Sequence, residues 1–165
     1  MEAFTFRRGQ HAEHTFFVLL HTAAPPEAEG WNAYLDALRR TLPERIGRTH
    51  VFVATDGGGP NPAQRRSLAT VFAERDALTH VFTTDLLVRG IVNAFRWMGG
   101  SAIAYQPREF PRVCPVVGHS PTAVLSLLDS AQSELKSVAI LAQLHAALAS
   151  EPPELDAGVM ANRRR

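Results

Sequence analysis

Three short runs of the chain are apolar at nearly every position: Thr15 to His21 (TFFVLLH), Thr49 to Thr55 (THVFVAT) and Thr79 to Thr84 (THVFTT). A strand with one wet face alternates apolar and polar residues. A run rich in β-branched and aromatic residues without that alternation has to be covered on both faces. The segments between the runs read as helices. Trp31, Tyr34, Leu35, Leu38 and Leu42 share one helical face, and Pro43 ends that helix. After the second run, Asp56-Gly57-Gly58-Gly59-Pro60 is a turn. Asn61 then supplies an N-cap and Pro62 a first helical position, for a helix running to about Asp76 with Leu68, Val71 and Phe72 inward. After the third run, Asp85 can cap a helix. Leu87, Val88, Ile91, Val92, Ala94, Phe95 and Met98 predict that it is mostly buried, and Gly99-Gly100 closes it. Ser101 to Gln106 reads as a last strand. Phe4 to Arg7 reads as an edge strand, paired with the first buried run across a polar turn from Gly9 to His14. The order β-β-α-β-α-β-α-β-α predicts an α/β fold: one largely parallel sheet of about five strands with helical cover.

The C-terminal third reads differently. Pro107 to Pro121 holds four prolines and predicts an exposed loop or short turn. Ser120-Pro121 starts a long helix, Thr122 to Leu148, with a seam at Val124, Leu128, Ala131, Leu135, Val138, Ala142 and His145. At about 1.5 Å per residue such a helix spans roughly 40 Å, longer than the sheet beneath it. Its distal leucines, Leu135, Leu141, Leu144 and Leu148, are therefore expected to pack between subunits or on a protein partner. Glu151 to Arg165 reads as a disordered tail. The chain thus divides into an α/β domain over residues 1–121, a long helix over 122–149 and a tail over 150–165.

Composition narrows the function classes. A chain of 165 residues is one domain with a core of its own. Its charge, 17 Lys+Arg against 16 Asp+Glu for a net +1, argues against nucleic acid as a partner. The single cysteine, Cys114, excludes an internal disulfide and a zinc site built on several cysteines. No apolar run of about 18 residues argues for a membrane span, and no secretory signal is read at the N-terminus. A cytoplasmic protein is the expectation. Its one lysine against 16 arginines, with many alanines, reads as the usage of a GC-rich, bacterial genome.

The order of elements, and the loop Asp56 to Asn61 that follows a central strand and opens a helix, carry a likeness to a family. Over roughly residues 4 to 106 the chain resembles the STAS-like, anti-sigma-factor-antagonist-like fold. In that family the loop holds an Asp, then a phosphorylatable Ser or Thr, then Gly. Asp56 matches the acid, Gly57 and Gly58 stand where the hydroxyl would be, and Ser67 lies well inside the helix. What the resemblance implies here is the use of this surface as a protein-docking face.

The residues themselves single out the same loop. Three glycines allow close backbone approach, and a helix start offers free N–H groups. Asp56, Gly57, Gly58, Gly59, Asn61, Arg65 and Arg66 are the candidate ligand-binding residues, for an anion or a partner carboxylate. A tight strand-to-helix turn would use the same glycines. Neither a dinucleotide nor a Walker-type fingerprint is present. His50 and His80 begin equivalent strands and could approach each other; no metal site is assigned to them. Cys114 has no identifiable base and reads as a structural thiol. Asp56 and Asp85 end neighbouring strands at the carboxyl edge of the sheet, where they fit a turn and a cap better than a metal pair. No catalytic residue and no cofactor is assigned. The sequence therefore predicts a non-enzymatic regulatory or scaffold module acting through protein–protein contacts, as a homo-oligomer. The alternative is a small-molecule or anion-binding protein, or an enzyme, using the cleft at the carboxyl edge.

Overall fold

The computed structural model describes residues 2–11, 14–41, 48–73, 77–97 and 101–152. Five strands form one sheet: β1 (Phe4–His11), β2 (His14–His21), β3 (Thr49–Thr55), β4 (Ala77–Phe82) and β5 (Ala102–Tyr105). Their spatial order is the sequence order, with β1 antiparallel to β2 and every later pair parallel. The crossovers are α1 (Ala28–Thr41), α2 (Pro62–Ala73) and α3 (Leu86–Trp97). A short 3-10 turn (Pro107–Glu109) leads into α4 (Phe110–Val116), α5 (Pro121–Gln132) and α6 (Ala139–Ala149). The α/β class and the predominantly parallel sheet are as the apolar runs predict.

The helix starts follow from local chemistry. Asn61 Oδ1 accepts from the Gln64 N–H at 2.9 Å, and Gln64 Oε1 accepts in return from the Asn61 N–H at 2.8 Å, a reciprocal capping box ahead of Pro62. Asp85 Oδ1 accepts from the N–H groups of Leu87 and Val88 at 2.8 and 3.0 Å. Ser120 Oγ accepts from the Ala123 N–H at 3.4 Å ahead of Pro121.

Each side of the sheet carries its own core. Phe17, Leu19, Val51, Val53 and Val81 face Trp31, Tyr34, Leu35 and Leu38 of α1 and Val71 and Phe72 of α2. Phe16, Val18, Leu20, Phe52, Ala54 and Phe82 face Phe110, Cys114, Val124, Leu128, Ile140, Leu141 and Leu144 of α4 to α6. Covering both faces is what strands without alternation require.

Several expectations are corrected. The long helix from Thr122 to Leu148 is two helices, α5 and α6, that pack on each other and on the sheet. Residues 133–138 lie outside both helices, and Val138 before α6 is extended. The leucine surplus goes with the long helix. Leu141 and Leu144 are buried in this chain's own core, and Leu135 and Leu148 pack against it. The proline-rich loop is largely helical. Pro111 sits in the first turn of α4, where its missing N–H costs nothing, and Phe110 and Cys114 are fully buried. The turn expected over Gly9–His14 is shorter, because Gly9, Gln10, His11 and His14 all belong to the ladder. Helix α3, expected to be mostly buried, has no buried side chain among residues 86–96, and Leu86 and Leu87 are 74% and 72% exposed. It packs mainly on β5, a four-residue edge strand that offers little sheet to cover. The expected helix ends at Leu42, Asp76 and Gly99-Gly100, and tail residues 153–165, lie outside the described residues. Glu151, at the start of the expected tail, pairs with Arg112 at 3.1 Å.

Two long-range contacts tie the layers together. Val138 offers α6 no side-chain cap, and Asp56, from the loop after β3, supplies one instead. Its two carboxylate oxygens accept from the Ala139 and Ile140 N–H groups at 2.7 and 2.8 Å. At the sheet edge, Arg7 donates to the Phe6 carbonyl at 2.9 Å and pairs with Glu134, which also accepts from Thr5 Oγ1 at 2.9 Å. A charged side chain over an edge carbonyl blunts a strand edge against further pairing. Asp56→Ala is expected to lower stability by about 0.5–2 kcal/mol, the range for a lost cap. Leu144→Ala is expected to cost about 2–5 kcal/mol. Urea unfolding checks both, and a near-neutral Leu144→Ala would return that leucine to the surface.

Candidate functional site

The loop after β3 is shaped by a backbone crossing. Thr55 Oγ1 donates to the Gly58 carbonyl at 2.5 Å and accepts from the Gly57 N–H at 3.1 Å. The Asp56 N–H donates to the His21 carbonyl, and the Gly58 N–H to the Thr22 carbonyl at 2.9 Å, so the loop lies against the end of β2. A Cβ on Gly58 would sit 2.2 Å from the Thr22 oxygen and 2.3 Å from that of Ala24, so only glycine fits. Gly57 has φ +123°, and a Cβ there would also meet Asp85 Oδ2 at 3.1 Å. The tight-turn demand on these glycines is thus met in full.

The same loop closes one end of a cavity of about 220 Å³ between α2, α3 and the sheet. Gly57, Gly58, Gly59, Pro60 and Arg65 line that end, with His21 and Thr55 beside them in paired register. The walls are Leu19, Tyr34, Val53 and Val81 below, Leu68 and Phe72 on α2, and Val88, Ile91, Val92 and Phe95 on α3. Of the seven loop residues singled out by the sequence, Gly57, Gly58, Gly59 and Arg65 meet at this cavity. Asp56 and Asn61 are engaged as helix caps. Arg66 is exposed on α2 and does not line the cavity. Arg65 is the one charged residue in the lining; its Nη1 donates to the Pro60 carbonyl at 2.7 Å.

Sequence reasoning missed most of the wall, and with it two polar groups. His21 is 1% exposed, and its Nδ1 has no hydrogen-bond partner in the fold; the Thr79 hydroxyl, also in the lining, has none either. Burial pushes the His21 imidazole down to about 3, so it is neutral near pH 7. The available signal was the position of His21 at the end of an otherwise apolar strand. A cavity with apolar walls, one guanidinium and one neutral imidazole can hold a ligand and orient it.

On the opposite face lies a histidine cluster. His50 Nδ1 and His80 Nε2 are 3.0 Å apart, so one donates and the other accepts, and His80 Nδ1 stands 3.4 Å from the Tyr105 hydroxyl. The two histidines approach as expected, but from positions two residues out of register, since His80 pairs with Phe52 and β4 begins at Ala77. His119, which the sequence did not connect with them, packs its ring 5.6 Å from that of His50, and its Nδ1 is buried without a partner. Burial, and then the charge of neighbouring histidines, bring His80 and His119 each down to about 4. Among the described residues no group of three His, Cys, Asp or Glu is placed to hold a metal ion. Burial also pushes the Cys114 thiol up, away from the thiolate that a nucleophile needs.

Compared with models of known families, with curated proteins and with solved structures, the chain returns no match. What stands of that expectation is an α/β fold with one mixed five-stranded sheet, and no family is identified.

The depressed histidines set a pH dependence. In the unfolded chain a histidine titrates near 6.5. Below that pH the unfolded state takes up protons that buried His21, His80 and His119 do not, so acid favours unfolding. Stability is expected to be full above about pH 6.5 and to fall between there and about pH 3. His119→Phe keeps a ring against Phe16 and Phe52 and should flatten that acid limb. Urea midpoints from pH 7.5 to 4.5 read both, and equal limbs would deny His119 its part.

Proposed function

We propose that this chain is a non-catalytic binding module that takes a small molecule between α2, α3 and the sheet. The observation that carries the reading is the state of α3. It is a strongly amphipathic helix, yet its apolar side stands over a cavity rather than in a closed core. Interiors are normally close-packed, and partial filling forgoes dispersion contacts along the whole lining. A ligand of matching shape restores them. The position also suits an α/β sheet, where ligands collect at the carboxyl ends of the strands. No helix among the described residues is long and apolar enough to cross a membrane.

A second reading, docking of a protein partner, is favoured by Leu86 and Leu87, which the first turn of α3 presents to solvent next to the glycine loop. The two readings are compatible on one helix, with the ligand on its inner side and the partner on its outer side. A regulatory module would use that arrangement, and the docking face implied by the STAS-like resemblance lies at the same edge. The partner surface then belongs to α3 rather than to the C-terminal leucines.

Val92→Trp is the variant that fills the cavity while leaving the polar end intact. The probe is 8-anilinonaphthalene-1-sulfonate, an apolar body with one anionic group. Saturable fluorescence enhancement by the folded wild type at one site, lost in Val92→Trp with Tm retained, is the expected result. A wild type without enhancement would overturn the cavity as a binding site.

A further inference from the structure

We propose that the ligand is a medium-chain monocarboxylate, an acyl chain of about eight to ten carbons with its carboxylate at Arg65. This rests on the binding reading above and assigns the class of ligand.

The cavity is polar at one end and apolar along its length. At the carboxyl end of the sheet, Arg65, the Gly57–Gly59 backbone, Thr55 and buried His21 lie together. His21 Nδ1, with no partner in the fold, is a group that a ligand oxygen can satisfy. The carboxylates at this end are already engaged, Asp56 by the first turn of α6 and Asp85 by the first turn of α3. The guanidinium has one contact of its own, to the Pro60 carbonyl, and no carboxylate partner among the described residues. A fork with open donors at the end of an apolar slot matches a carboxylate head in geometry and charge.

The other dimension is length. The lining extends from Thr55 to Thr79, which pairs in register with Val51. Four residues at about 3.3 Å each make a slot roughly 13 Å long. An extended acyl chain of about eight to ten carbons, at about 1.3 Å per C–C bond along its axis, spans that length. A single unbranched chain of that length lies along it. The Thr79 hydroxyl adds one polar point at the far end.

Titration calorimetry with straight-chain carboxylates of six to sixteen carbons, and with the matching alcohols and amines, tests this on the full chain. Affinity should rise about fourfold per methylene and stop rising near eight to ten carbons. The carboxylate should bind about 10- to 100-fold tighter than the alcohol of the same length. Arg65→Met keeps the aliphatic stem and removes the charge; it should abolish that preference by weakening the carboxylates about 10- to 100-fold more than the alcohols. Affinity that climbs unbroken to sixteen carbons, a preference for amines, or a carboxylate preference that survives in Arg65→Met would each overturn the assignment. If 8-anilinonaphthalene-1-sulfonate binds in the cavity and the carboxylates do not, the ligand class falls and the site stands. If neither binds, both fall.

Discussion

The handedness of the crossovers governs the rest of this structure. A parallel connection between neighbouring strands is right-handed almost without exception. When the strand order is also the sequence order, every crossover helix falls on the same side of the sheet. Helices α1, α2 and α3 accordingly share one face, and among the described residues none of these three helices covers the other. Yet Phe16, Val18, Leu20, Phe52, Ala54 and Phe82 point there. At roughly 1.5–3 kcal/mol per buried large apolar side chain, that face cannot stay wet. The C-terminal third exists to close it, and Asp56 fastens α6 where it starts.

This explains what the sequence made legible and what it hid. The apolar runs at 15–21, 49–55 and 79–84 mark strands because alternation is absent, and Asn61-Pro62, Asp85 and Ser120-Pro121 mark helix starts because caps are local chemistry. The break between α5 and α6 is not local in that sense. Ser133 to Val138 contains no proline or glycine to announce it. Its cause is the cap supplied by Asp56, 83 residues away, together with the sheet face that both helices must reach. Counting helices without assigning them to faces makes Leu141 and Leu144 look surplus when they are core. Candidate-site residues divide the same way. The glycines are visible as a turn, whereas His21, Thr79 and the inner side of α3 become a site only once strand register brings them together.

The two faces are also unequal in how well they are filled. Under α4 to α6, Phe16 meets Phe52 edge-on, and rings stack from Phe52 through His80 and Tyr105 to Phe82. Under α3, side chains stand around a space. Function in a packed protein tends to sit where packing is locally incomplete, because that is where another molecule improves the fit. The histidines differ accordingly. His50, His80 and His119 lie within the aromatic stack, and His21 lies at the edge of the cavity.

The division of labour between the two faces has a further consequence on the ribosome. The whole sheet is complete by Tyr105, but its second cover lies in residues 110–149. Chains emerge at about 5–20 residues per second, so those 40 residues arrive over roughly 2–8 s. Throughout that interval one face of the sheet lacks its cover, so the fold cannot close until α4 to α6 have emerged. The order of elements along the chain thus imposes a waiting period whose length is set by the rate of synthesis and not by the sequence of the protein.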